Sequence, residues 1–406
     1  VSCYFLFVTS NSELAPEEDQ GVVFMLSTGA PNATIDQTLL WAEHLADKVS
    51  ENEAVANIFQ INGVGFSGPA VNSTITGVPL RPWAQRDKSN KQVQQDLRGV
   101  AAQIPGLDTA AFIPPPLPGA GDGFPVQLII GSTDEPRAIY DVAQEFLKRV
   151  RESGMFMFVE SDLRIDKPQV EVQIDRDKVA AMGLSMQDIG TNLAAMLSGG
   201  YVNRFSIQGR SYKVIPQVAR DDRLNPDQLG QYHIRIPGGE MIPLSTVVTM
   251  DEVVQPRMLM RFQQLNAATI QGVPLPGVAL GDVLSFMEDT AAEVLPEGYS
   301  VDYAGQSRQF KSEGSALVVT FFFALVIIYL VLAAQFESFI DPIIMLVSVP
   351  MSICGALIFV SLGLTSLNIY SQVGLVTLIG VISKHGILIV EFANQLQTRD
   401  GFDKRT

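Results

Sequence analysis

The chain has little with which to do covalent or metal chemistry. Its 406 residues include 2 cysteines, 3 histidines and 2 tryptophans. Cys3 and Cys354 both lie in or beside apolar runs, so the polar body between them has no thiol, which excludes a disulfide framework and a thiolate metal site there. His44, His233 and His385 fall in a helical, a strand-like and a strongly apolar stretch, too scattered for a metal centre. Positive charge is scarce as well. With 28 Lys and Arg against 43 Asp and Glu, the formal net charge is −15, which argues against nucleic acid, whose recognition needs a basic surface. No nucleophile elbow or paired-carboxylate signature stands out. Before residue 315 no apolar run has the roughly 20 residues needed to cross a bilayer.

Three such runs follow, at residues 315–334, 342–362 and 372–393. The expected class is a membrane protein with a large aqueous α+β body. Residues 1–8, VSCYFLFV, read as the last turns of a further membrane helix, and the chain is expected to be part of a longer protein. Arg399, Lys404 and Arg405 follow the last span, which puts that end in the cytoplasm and residues 9–313 on the other side of the membrane.

The third run, QVGLVTLIGVISKHGILIVEFA, carries Lys384 near its middle. Counting from Val373 puts it about 16 Å along the helix, half of a ~30 Å hydrocarbon layer, too deep for the ammonium to snorkel out. A charge there costs about 2.5–3.5 kcal/mol on insertion scales and is normally paired and functional. Thr377, Gly380, Lys384 and Glu391 share one side of the helix. Glu391 is about 10 Å further along the axis, too far for a close pair. Glu337 and Asp341 sit in the connection between two spans, so the counter-ion is expected from polypeptide outside these residues.

The aqueous body reads as four strand–helix–strand units. The first comprises residues 21–27, 35–50 and 55–62, and the second 72–78, 90–104 and 108–113. A third, 126–131, 136–152 and 155–163, is separated by about a hundred residues from its partner, 268–273, 278–295 and 299–304. The intervening stretch is expected to be an inserted, mostly β domain with strands at 170–174, 201–207, 213–219 and 232–236, a helix at 185–197 and a hairpin tip at PGGE, 237–240. Gly63-Val-Gly65-Phe-Ser-Gly68 fits GxGxxG, but Pro69 and a β-like run follow where a helix should hold a pyrophosphate. It reads instead as a flexible glycine loop carrying Val64 and Phe66. The run FIPPPLPG from Phe112 is rigid and extended, a linker or a cleft lining. Pro350 should kink the second span.

SELAPEEDQG at 12–21, INGVGFSG at 61–68, GFPVQL at 123–128, GGYVNRF at 199–205, YLVLAAQFESFIDP at 329–342 and the Lys384 run occur in the order found in resistance-nodulation-division (RND) multidrug efflux pumps of the acriflavine-resistance B type, which the whole chain resembles. The resemblance implies a homotrimeric proton/substrate antiporter of the Gram-negative inner membrane, with no cofactor beyond the proton gradient. It further implies a periplasmic adaptor and an outer-membrane channel as partners, and amphiphilic small molecules as substrates. The implied fold is α-helical transmembrane spans plus a periplasmic body of ferredoxin-like βαβ–βαβ porter subdomains with an inserted docking subdomain. Its parts would be residues 1–8 (end of the seventh span), 9–123 (first porter subdomain), 124–164 with 261–305 (second), 165–260 (docking) and 306–406 (three spans and the start of a loop).

By the same resemblance, Lys384 pairs with aspartates of another span, with Thr377 beside it in the proton relay. Phe59, Ile61, Val64 and Phe66 line the substrate pocket, Phe112 stands at its proximal entrance, and Gly63, Gly65 and Gly68 form a switch loop. The chain departs from the pattern at Val64 and Gly77, where aromatics are common, and these losses bear on substrate range. Metal-ion export through Met155, Met157, Met182 and Met186, and a membrane-anchored scaffold without small-molecule cargo, are the alternative readings.

Overall fold

A computed structural model describes residues 2–16, 18–65, 68–117, 123–197 and 199–399. A short helix, α1 (Ser2–Val8), leads into a first α/β layer: β1 (Val22–Thr28), α2 (Ile35–Ser50), β2 (Phe59–Gly65), β3 (Gly68–Pro79), α3 (Asn90–Ala101) and β4 (Asp108–Phe112). Its sheet has the order β2-β3-β1-β4, antiparallel throughout. Thr34 caps α2 by accepting the Gln37 N–H, and Ser89 and Gln92 close a capping box on α3. Both helices bury one stripe at helical spacing: Thr38, Ala42, Leu45 and Val49 on α2, Val93, Leu97 and Ala101 on α3. Those stripes meet Val23 and Met25, the residues of β1 that point to one side of the pleat, in a single core.

The second layer begins with β5 (Val126–Ser132), α4 (Pro136–Glu152) and β6 (Phe156–Ser161). Pro136 occupies the first turn of α4, where a missing N–H costs nothing. A separate compact unit, Ile165–Arg257, then intervenes. It contains β7 (Ile165–Ile174), α5 (Arg176–Ala181), α6 (Met186–Met196), β8 (Asn203–Ile207), β9 (Arg210–Val214), α7 (Pro226–Leu229), β10 (His233–Arg235), β11 (Met241–Pro243) and β12 (Val248–Pro256), its strands paired as β7–β12, β8–β9 and β10–β11. The strand expected at 213–219 ends at Val214. Its pairing with β8 runs out at Asn203↔Val214. Gly239, at φ +91°, makes the turn between β10 and β11.

The chain completes the second layer with β13 (Met260–Phe262), β14 (Leu265–Pro274), α8 (Leu280–Val294) and β15 (Ser300–Tyr303). β14 lies between β5 on one side and β13 and β6 on the other, and β15 closes the far edge of β5. The core under this sheet packs Val126, Leu128, Ile130 and Ile270 against Ile139, Phe146 and Val150 of α4 and Val283, Leu284 and Met287 of α8.

Three stretches are long and apolar enough to cross a membrane. The first belongs to α9 (Gly305–Phe336), which follows β15 directly; Ser307 at its start accepts the Gln127 N–H at 3.0 Å and donates to the Pro125 carbonyl at 3.0 Å. The second is broken into α10 (Asp341–Leu346) and α11 (Ser348–Ser361) at Val347. Pro350 has no N–H to return to the Leu346 carbonyl, so the hydrogen-bond ladder is interrupted one turn before it, while Val347 itself keeps helical dihedrals (φ −60°, ψ −27°). The third is α12 (Ile369–Arg399). Together with α1 these helices line an apolar cavity of about 770 Å³, bounded by Phe7, Phe321, Leu325, Val349, Leu357 and Leu375.

Candidate functional site

The face of the first sheet turned away from α2 and α3 is aromatic. Phe24 and Leu26 on β1, Ile75 on β3, and Ala110 and Phe112 on β4 share it and pack against Phe124 and against Met157, Phe158 and Val273 of the second sheet. Phe59 on β2 meets Phe24 edge-on at 6.3 Å. The rings then continue in series, Phe24 to Phe112 at 6.0 Å, Phe112 to Phe124 at 5.2 Å and Phe124 to Phe158 at 5.3 Å. One end is closed: Phe112 and Phe124 are 4% and 1% exposed. The other is open, with Phe59 45% and Ile61 48% exposed. Such a surface offers an apolar or aromatic molecule a row of rings to pack against.

Phe59 owes its place to Gly77. The two are cross-strand partners, and a Cβ on Gly77 would fall 2.1 Å from the Phe59 ring, so the ring lies flat over a residue with no side chain. The glycine run expected as a loop is largely paired instead. β2 and β3 extend through it as far as Gly65↔Gly68, because backbone pairing holds residues whose glycine and proline content reads as a turn. Gly63 (φ +84°) and Gly68 (φ +122°) take conformations that side chains rarely adopt, and the register shifts between Asn62 and Val64. Val64 is half-buried opposite Pro69. Phe66 lies outside the described residues.

Two residues along from Val273 and Phe158, the same faces of β14 and β6 turn polar. Gln271 donates to Glu160 at 3.0 Å, and Glu160 pairs with Arg164. Asp162 accepts the Thr269 N–H at 2.6 Å; burial raises its carboxyl above the ordinary range in spite of that bond. These polar groups lie beyond the buried end of the ring row, so the open, ring-lined end at Phe59 and Ile61 is where an apolar ligand can enter. Among the described residues no group of His, Cys, Asp and Glu is arranged to hold a metal ion.

Lys384 and Thr377 lie seven residues apart on one side of α12, both exposed. Thr377 donates to the Val373 carbonyl at 2.9 Å, and among the described residues Lys384 has no acidic side chain within ion-pairing distance. The sequence reading placed Phe59 and Phe112 but passed over Phe24, Phe124 and Phe158. For Phe24 and Phe158 the signal is the alternation within β1 and β6, where every second residue faces away from the helices; Phe124 precedes β5 and lies in no strand.

The family model described as the AcrB/AcrD/AcrF family matches residues 1–406. An uncharacterized transporter of Haemophilus influenzae is 37% identical over 98% of this chain and 39% of its own length. The toluene efflux pump membrane transporter TtgB of Pseudomonas putida is 31% identical over 98% of this chain and 38% of its own. The multidrug export protein AcrF of Escherichia coli is 30% identical over 98% and 39%. The chain thus spans about two-fifths of the length of these relatives. From end to end, this chain belongs to the AcrB/AcrD/AcrF family of RND efflux transporters.

Proposed function

We propose that the chain is the porter-bearing part of an inner-membrane permease that expels amphiphilic small molecules in exchange for protons. On this reading the two layers are ferredoxin-like porter subdomains (9–123, and 124–164 with 261–305), the unit between them is a docking subdomain (165–260), and the body faces the periplasm. Phe59, Ile61, Val64 and Phe66 hold the substrate, Phe112 belongs to its proximal entrance, and Gly63, Gly65 and Gly68 serve as the switch glycines. The permease works as a homotrimer with a periplasmic adaptor and an outer-membrane channel. The names of TtgB and AcrF, an efflux pump and an export protein, support the direction of transport.

The observation that carries the reading is the position of Lys384. It presents an ammonium about 16 Å into an apolar helix, exposed on a face with no acid among the described residues to meet it. Carboxylates of the full-length protein that paired with it would lose that pair on protonation. The helices would then have two arrangements whose balance the proton gradient sets. In the full-length protein, Lys384→Ala should leave the amount in the membrane unchanged and lower inhibitory concentrations of amphiphilic drugs to those of a strain without the pump. Full resistance in that strain refutes the mechanism. Metal export finds no support in Met155 and Met157, which pack into different cores. A scaffold has no use for the half-exposed Phe59 and Ile61.

A further inference from the structure

The residues of the motif SELAPEEDQG bond to three separate parts of the molecule. The stretch 11–14 lies beside the start of α12, where Ser12 forms an isolated bridge with Leu367. The Asn11 carbonyl accepts the Leu367 N–H at 2.8 Å, the Glu13 N–H donates to the Leu367 carbonyl at 3.1 Å, and the Leu14 carbonyl accepts the Ile369 N–H at 3.1 Å. Ser366 donates to the Glu13 carboxylate, and the buried Asn368 caps α12 at this point by accepting the N–H groups of Tyr370 and Ser371. The N-terminus of the helix that carries Lys384 is therefore laced to the segment through backbone.

The same segment is fastened to the second layer. The Ser12 carbonyl accepts the N–H of Gly281, in the first turn of α8, at 3.0 Å, satisfying a donor that the helix itself cannot. A Cβ on Gly281 would lie 3.0 Å from that carbonyl oxygen and 3.1 Å from Phe310 of α9, so the approach depends on glycine. Leu14, 3% exposed, is part of the core between α4 and α8.

Its far end is fastened to the first layer. Asp19 accepts the Asn90 N–H at the start of α3 at 2.9 Å, the Glu18 carbonyl accepts from the Asn90 side chain at 3.0 Å, and Asp19 pairs with Arg86, whose side chain is 2% exposed. Desolvation works against the Asp19 carboxylate, but Arg86 and the N–H groups of Asn90 and Gly21 outweigh it and hold its pKa at about 2. Gly21 then passes its carbonyl to the Leu80 N–H at 2.7 Å, where β1 begins beside the end of β3.

We propose that the stretch 11–21 is a coupling strap, with Gly281 and Asp19 as positioning residues, through which movement of the Lys384 helix reaches both walls of the aromatic cleft. This rests on the pump reading above. A shift of α12 that left the strap behind would strand buried N–H and C=O groups, so the helix start and the strap travel together. The strap is pinned to α8 behind one wall and to α3 behind the other. It therefore converts a displacement in the membrane into a change in the separation or angle of the two sheets.

The test uses the full-length protein in proteoliposomes, with rhodamine 6G as probe. Equilibrium binding counts dye sites, and transport under a pH gradient is expressed per site. For Gly281→Val and for Asp19→Asn, the expected result is a Kd and a KM within twofold of wild type and a Vmax per site at least tenfold lower. A variant with only local damage would lose sites without losing turnover at those that remain. Should Gly281→Val bind no dye, Gly281→Ala, which asks Ser12 to move by only a few tenths of an ångström, takes its place under the same criterion. Turnover within twofold of wild type in either strap variant, while Lys384→Ala is inactive, overturns the strap and leaves the pump reading standing. Wild-type turnover in Lys384→Ala overturns the pump reading and the strap with it.

Discussion

Gly77→Ala offers a sharp test of the cleft. The new Cβ would sit 2.1 Å from two carbons of the Phe59 ring, against the 3.4 Å at which ordinary contact begins, so the ring must retreat by about 1.3 Å. Backbone shifts are resisted by the paired strands, whereas the ring is 45% exposed and free to swing outward. Swinging out breaks its edge-on contact with Phe24 and also withdraws the ring from a bound aromatic, and a ring pair of that kind with the ligand is worth about 0.5–1.5 kcal/mol beyond simple burial. The expected outcome is a two- to twelvefold weaker affinity for an aromatic amphiphile, with the fold intact. Phe59→Ala removes the same ring, so a double-mutant cycle on dye binding should be strongly non-additive: once Phe59 is gone, Gly77→Ala should cost almost nothing. Additivity within about 0.3 kcal/mol would show that the ring does not lie over Gly77 when substrate binds, and the ordering of the cleft argued above would be wrong.

Two further outcomes follow from the second wall. Because the Asp162 pKa is raised by burial, the stability of its protonated form is present below the ordinary carboxylate range and lost as pH rises through the raised value; at neutral pH the charged form is the disfavoured one. Asp162→Asn should therefore match or exceed the wild-type denaturation midpoint at pH 7.5 and lose any advantage by about pH 4, and a lower midpoint at pH 7.5 would mean that the Thr269 N–H more than compensates burial. Gly272→Ala would put a Cβ 2.5 Å from the Phe158 carbonyl oxygen, forcing β14 and β6 apart at a cost of about 1–3 kcal/mol; an unchanged midpoint would show the strands to be looser than described.

The helices were the legible part of the fold. α2 and α4 begin and end where apolar periodicity and a helix-starting proline put them. The strands were less so, since pairing with a distant partner decides their length. β2 starts at Phe59 rather than at 55, because the residues before it turn back on Asn52, and β3 reaches back to Gly68 through residues that local chemistry assigns to a loop. β12 was not read at all: Val253 and Val254 stand side by side and break its alternation, and its partner is β7, some eighty residues earlier. Of the cleft, exposed Phe59 and buried Phe112 came from resemblance. That Phe24, Phe124 and Phe158 meet them, with polar groups beyond, depends on two sheets facing each other, which no stretch of sequence displays.

α9 runs without a break from the edge of the second sheet to Phe336. Its 32 residues make a rod of about 48 Å, which exceeds a ~30 Å hydrocarbon layer by three turns or more. A rod pivoting near mid-bilayer acts as a lever with unequal arms of about 15 and 33 Å, so a tilt of about 5° carries its upper end through roughly 3 Å. With Ser307 clasping the Pro125–Gln127 backbone at that end, even a small change of slope inside the lipid is delivered, magnified, to the root of β5.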